Sequence, residues 1–206
     1  TTRADLAELS RSLRDHGATR SDLARHEGPE AFLLAEYPHL GFNYRMTDIQ
    51  GALGCAQMDR ATGILSDRRR VAHGYDAALH GLSWLRLPVT PPRYVHGYQS
   101  YVCLFAPEAP TTANVDRLTD LRNELMAKLE EVGIATRQGT HAPTLCDYYA
   151  RKYAIQPGQY PNAWFADHLT LSLPLYPQMT SAAQQLVCRT LVEVGADLAR
   201  SGVHPS

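Results

Sequence analysis

The sequence predicts a mixed α/β chain that closes in a small α+β domain. Three observations carry that prediction. A long helical periodicity opens after Thr47, the composition changes at Pro88, and strand-like and helix-like segments alternate from there to the end. The division implied is residues 1–87 and residues 88–206.

Residues 3–16 read as a helix. Leu6, Leu9 and Leu13 form one apolar stripe, with Thr2 as the expected N-cap and Gly17 as the expected stop. Residues 18–46 follow as a long polar and aromatic connection without clear periodicity, and connections of that length are usually functional or mobile. The Phe32-Leu33-Leu34 cluster implies that part of it packs against something. Thr47 and Gln50 then have the spacing of a capping box, in which each side chain satisfies the other's backbone N–H. Ile49, Leu53, Ala56, Ile64, Ala72, Tyr75 and Leu79 keep helical spacing after it. Gly51, Ala52 and Gly54 leave a small-residue surface near the helix start. Each glycine there costs about 1 kcal/mol relative to alanine, which implies close packing against another backbone. Gly63 is an expected bend and Gly81 an expected stop.

Pro88, Pro91 and Pro92 make a stiff linker, because proline fixes φ and restricts the residue before it. Residues 98–106, rich in Tyr and Val, read as a strand, and residues 107–112 as a turn-rich loop. Leu118, Leu121, Leu125, Leu129 and Val132 mark an amphipathic helix closed by Gly133. Residues 134–137 read as a short strand, and Tyr148, Tyr149 and Tyr153 as a short helix or turn. Pro161 begins another helix, and residues 171–175 are the last strand. Ser181 and Gln184 repeat the capping-box spacing before a helix whose buried stripe is Val187, Leu191, Val194 and Leu198.

Composition bounds the function classes. A hydrophobic content of 44% in 206 residues is that of a folded domain, and a net charge of −1 gives no electrostatic footprint for nucleic acid. The longest like-charge block, Arg68-Arg69-Arg70, reads as a solvated helix face. No apolar run approaches membrane-spanning length. Cys55, Cys103, Cys146 and Cys188 form no CxxC pair, and the histidines show no HxxxH or HExxH spacing. The expectation is reduced, mostly buried thiols in a cytoplasmic protein, and no metal site.

The chemistry concentrates just before the capping box, in Gly41-Phe42-Asn43-Tyr44-Arg45. An amide, a phenol and a guanidinium stand in consecutive positions, and amide and guanidinium donors suit phosphate or carboxylate. The structural alternative is a turn asparagine, a packed tyrosine and an arginine paired to a nearby acid. His141, in Gly139-Thr140-His141-Ala142-Pro143, is either a pocket residue or an exposed loop histidine. His96 and Tyr98 read as structural. No paired carboxylates, Ser–His–Asp set or phosphate-binding glycine loop stands out.

The stretch GFNYRMTDIQGALG resembles the signature that opens the second half of the DegT/DnrJ/EryC1/StrS sugar aminotransferases. The likeness continues through Gly133-Ile134-Ala135-Thr136-Arg137 and Leu171-Ser172-Leu173-Pro174-Leu175-Tyr176-Pro177. It implies the aspartate-aminotransferase-like fold of pyridoxal-phosphate enzymes (fold type I). Residues 1–87 would then end the large cofactor domain, with the dimer-interface loop and a connecting helix, and residues 88–206 would form the small domain. It implies pyridoxal 5'-phosphate as cofactor and a homodimer with composite active sites. The substrates implied are a nucleotide-linked keto-sugar and glutamate as amino donor, with a place in deoxyaminosugar biosynthesis. Asn43 would donate across the interface to the phosphate of the neighbour's cofactor, and Arg45 would assist an anionic group. Tyr44 and His141 would line the substrate pocket. The segment Thr140-His141-Ala142-Pro143-Thr144-Leu145 departs from the Tyr-Pro-Leu-His pattern of many members. The resemblance places the Schiff-base lysine upstream of Thr1. Neither Lys128 nor Lys152, the two lysines present, falls where it is expected. The chain then reads as the C-terminal half of a longer enzyme, inactive alone. The alternatives are a deoxysugar dehydratase on the same scaffold, with histidine in place of that lysine, and a non-catalytic interaction fragment.

Overall fold

The capping box at Thr47 forms as its spacing predicts. Gln50 N donates to Thr47 Oγ1 at 3.3 Å, and Thr47 N donates to Gln50 Oε1 at 3.0 Å. It starts the longest helix in a computed structural model that describes residues 1–19, 36–156 and 158–202. The Phe32-Leu33-Leu34 cluster lies outside the described residues. In chain order the elements are α1 (Ala4–Leu13), α2 (Asp48–Leu79), β1 (Leu85–Arg86), β2 (Tyr101–Phe105) and α3 (Val115–Glu131). They continue as β3 (Arg137–Gln138), a 3-10 turn (Pro143–Leu145), α4 (Asp147–Tyr153), α5 (Pro161–Leu169), β4 (Thr170–Leu173) and α6 (Ser181–Gly202).

Contacts divide the chain into two units, Thr1–Arg60 and Ala61–Ser206. This contact division falls inside α2. The reason is burial: Val71, Ala72, Tyr75 and Leu79 are the buried residues of α2, and all belong to the second core.

The second unit holds a four-stranded antiparallel sheet in the order β1-β2-β4-β3. In β2 the side chains of Tyr101, Cys103 and Phe105 are buried, the period-2 pattern of a strand with one face on a core. Leu125 and Leu129 of α3 and Val187, Leu191 and Leu198 of α6 complete that core. Val115, Leu118 and Leu169 form a smaller cluster with Trp164 and Phe165. Gly133 takes a left-handed φ of +80°, and Ile134 N returns to Leu129 O at 2.9 Å, which closes α3 as expected.

Several expectations are corrected. The N-terminal side of α1 is capped at Arg3 without a side-chain bond, so Thr2 has no capping role. The strand read over 134–137 forms at Arg137–Gln138, and the two-residue β1 is too short to show a periodicity. At the last helix Thr180 Oγ1, not Ser181, accepts from Ala183 N at 3.2 Å. Gln184 instead donates Nε2 to Val71 O at 2.6 Å, tying α6 to α2. The arginine triplet is not merely solvated. Arg68 donates to the Tyr98 and Gln99 carbonyls at 3.0 Å, Arg69 to His96 O at 3.3 Å and Arg70 to Pro177 O at 3.1 Å. Of the thiols, Cys103 and Cys188 are buried, but Cys55 and Cys146 are exposed. Gly51, Gly54 and Gly63 have no neighbour within 4 Å of a built Cβ, and α2 runs through Gly63.

Candidate functional site

The segment around Asn43 is held by the end of α1. Phe42 N donates to Leu13 O at 2.7 Å, His16 N to Phe42 O at 2.9 Å and Tyr44 N to Arg14 O at 2.8 Å. Asp15 and Asn43 thus form an antiparallel bridge. The backbones come so close that a Cβ on Gly41 would overlap the Gly17 backbone, and one on Gly17 would overlap the His39 carbonyl. Two glycines are required for this approach, and Gly17 also needs its φ of +79°.

An extended segment sends alternate side chains to opposite faces. Phe42 and Tyr44 stack on one face, with ring centroids 5.0 Å apart and planes 6° from parallel. Asn43 and Arg45 share the other. Arg45 Nε donates to Asn43 Oδ1 at 3.3 Å and lies 3.5 Å from Asp15 Oδ1, while Arg45 Nη2 is 3.4 Å from His16 Nε2. Asp15 is mostly withdrawn from solvent and balances the guanidinium. The bond to Oδ1 fixes the Asn43 amide so that its Nδ2 donors remain without a hydrogen-bond partner among the described residues, on an exposed side chain. These contacts are the structural reading of Arg45. It pairs with an acid, and it orients the neighbouring amide.

Tyr44 is 71% exposed and stacks on Phe42. His141 lies in the second unit, with its side chain 82% exposed and Nδ1 3.8 Å from Asp167 Oδ2. His96 and Tyr98 behave structurally, since His96 Nδ1 accepts from Tyr98 N at 2.8 Å and Tyr98 is buried. A polar cleft of about 450 Å³ beside β3 and β4 is lined by Gln99, Ser100, Arg137, Gln138 and Ser172. A hollow of about 660 Å³ beside α1 is lined by Glu8, Arg11, Ser12, Asp15 and His39. None of the four predicted residues lines either one. Sequence reasoning missed Asp167, which carries no local signal beyond its charge.

The donor set fits one end of pyridoxal phosphate. Free amide donors beside a charge-balanced guanidinium suit a phosphate. The lysines do not fit its covalent end. Lys128 Nζ is 3.5 Å from Glu124 on the exposed face of α3, and Lys152 Nζ lies over the Tyr148 and Tyr153 rings at 5.4 and 5.5 Å.

Residues 1–192 match the DegT/DnrJ/EryC1/StrS aminotransferase family. The protein MJ1066 of Methanocaldococcus jannaschii is 28% identical over 180 residues, which are 87% of this chain and 44% of that one. DesV of S. venezuelae has the same fold at a TM-score of 0.75, with 23% identity over 95% of this chain and 45% of that one. Spr1654 of Streptococcus pneumoniae in its PLP form matches at 0.74, with 19% identity and 95% and 45% coverage. Helicobacter pylori PseC, an aminotransferase of pseudoaminic acid biosynthesis, matches at 0.73, with 18% identity and 96% and 48% coverage. The chain therefore has the aspartate-aminotransferase-like fold over its length and spans about half the length of these relatives.

Proposed function

We propose, because the chain belongs to the DegT/DnrJ/EryC1/StrS aminotransferase family, that it is the C-terminal portion of a pyridoxal-phosphate-dependent aminotransferase acting on a nucleotide-linked keto-sugar. Residues 1–87 end the larger cofactor domain and residues 88–206 form the smaller one. Glutamate is the amino donor, and the enzyme works in the cytoplasm as a homodimer. The family match and the PLP form of one structural neighbour support the cofactor. Among the described residues no helix is long and apolar enough to cross a membrane.

The observation that carries the reading is the Asn43 amide, which Arg45 orients and whose Nδ2 donors have no hydrogen-bond partner among the described residues. In the dimer this amide donates to the phosphate of the partner subunit's cofactor. Asp15 keeps the Arg45 charge balanced, so the anchor adds direction without a further uncompensated charge. Tyr44 and His141 contact the sugar nucleotide. The lysine that holds the cofactor is supplied from outside this chain, because both lysines here are engaged on exposed faces. Bound pyridoxal phosphate supplies the electron sink, and the protein supplies orientation and proton handling.

In the full enzyme, Asn43→Ala removes a hydrogen bond to a charged phosphate, worth about 1.5–3 kcal/mol, so cofactor affinity should fall about 10- to 100-fold. Cofactor retention on gel filtration, read by absorbance, measures it. Unchanged retention in the dimer would remove Asn43 from the site.

A further inference from the structure

We propose that Asp167 is the positioning residue for His141, turning the Nε2 edge of the imidazole outward to accept a hydrogen bond from a hydroxyl-bearing ligand; this rests on the reading of His141 as a residue that contacts the sugar. The loop that carries His141 is pinned on both sides. Before it, Gly139 N donates to Thr170 O at 3.3 Å, and a Cβ on Gly139 would overlap Val102 and Thr170. After it, the buried Ala142 donates its N–H to Asp167 Oδ2 at 2.8 Å and accepts from Leu145 N at 3.0 Å, which opens the 3-10 turn. Pro143 has no N–H to offer, so the Ala142 amide is the last donor before that turn, and the carboxylate takes it.

The same oxygen, Asp167 Oδ2, lies 3.8 Å from His141 Nδ1, and Oδ1 lies 3.5 Å from His168 Nδ1. The Asp167 side chain is only 16% exposed. A carboxylate so far withdrawn from water needs compensation. Arg122 supplies positive charge from α3. It is buried, donates Nη1 to Thr170 O at 3.2 Å, and has no partner for Nε among the described residues. Burial pushes the Arg122 guanidinium below its ordinary value, and the Asp167 charge opposes that shift. One carboxylate therefore fixes the backbone after His141 and attracts the Nδ1 side of its ring. At 3.8 Å the carboxylate acts on the ring by charge rather than through a hydrogen bond, favouring a proton on Nδ1 and leaving Nε2 to accept from a ligand.

Two readouts on the full enzyme, selectively labelled with ¹⁵N-histidine, test this. They are the exchange rate of the Ala142 amide and the ring ¹⁵N shifts of His141. Asp167→Ala removes both interactions. It should speed Ala142 exchange about tenfold or more and shift the neutral His141 ring toward the tautomer with Nε2 protonated. Asp167→Asn keeps an oxygen acceptor, so Ala142 exchange should stay within about twofold of wild type. The loss of charge should still shift the ring. Unchanged exchange in Asp167→Ala, or a His141 ring unaffected in both variants, would overturn the proposal. Neither readout depends on catalysis, so a failure of the aminotransferase reading would show separately, as unchanged cofactor retention in Asn43→Ala.

Discussion

The two units of this chain treat apolar residues in opposite ways. In Ala61–Ser206 the large apolar side chains of α2, β2, β4, α3 and α6 are closed into a core, with Tyr75, Tyr101, Phe105 and Leu191 fully buried. In Thr1–Arg60 neither α1 nor the first turns of α2 bury a residue. Leu40, Phe42, Met46, Ile49, Leu53 and Met58 are all exposed, Ile49 to 84%. The apolar spacing is as helical in one half of α2 as in the other. The difference is that, among the described residues, only the second half meets a packing surface.

The largest effects should separate the two regions. Leu191→Ala removes a fully buried side chain and should cost about 2–5 kcal/mol. Leu53→Ala, at an exposed position, should stay within about 0.5 kcal/mol in the same chain. Denaturant unfolding of the two variants measures both. Comparable losses would erase the distinction.

Glycines give a sharper pair. A Cβ on Gly195 would overlap the buried Trp84 ring, so Gly195→Ala should cost about 1–3 kcal/mol. A Cβ on Gly54 meets nothing within 4 Å, so Gly54→Ala should stabilise the helix by about 0.5–1 kcal/mol. The sign of the Gly54 effect should reverse in the full dimer if the small-residue surface packs there. Thermal unfolding of chain and dimer reads the reversal.

A further effect is pH-dependent and belongs to the core. Burial pushes the Cys103 thiol from 9.0 up to about 12 and raises the Tyr75 and Tyr101 phenols as well. The unfolded chain ionises these groups first, so their contribution is complete below about pH 9 and is lost as pH rises toward 12. By pH 10 the thiol's share of the loss is about 1.4 kcal/mol. Cys103→Ala should flatten the fall in stability above pH 9 by that amount.

What was legible in the sequence was what is local. The Thr47–Gln50 box, the Gly133 stop and the α6 stripe each depend on residues a few positions apart. The errors come from partners far along the chain. Gln184 has capping spacing but spends its amide on Val71, 113 residues away, and the arginine triplet is drawn into carbonyls of two distant loops. At the candidate site the family signature pointed to Asn43 and Arg45, and the strand geometry explains why they share a face. Asp167 acts on a loop 25 residues earlier, and no spacing rule connects an acid in a helix to a histidine in a turn.

The central claim is that this chain anchors the cofactor's phosphate and does not hold the cofactor covalently. Incubation of the purified chain with pyridoxal phosphate, borohydride reduction and peptide mass mapping test it directly. The account predicts no specific pyridoxyl label on Lys128 or Lys152. A stoichiometric label on either lysine would contradict it and would move the catalytic centre into this chain.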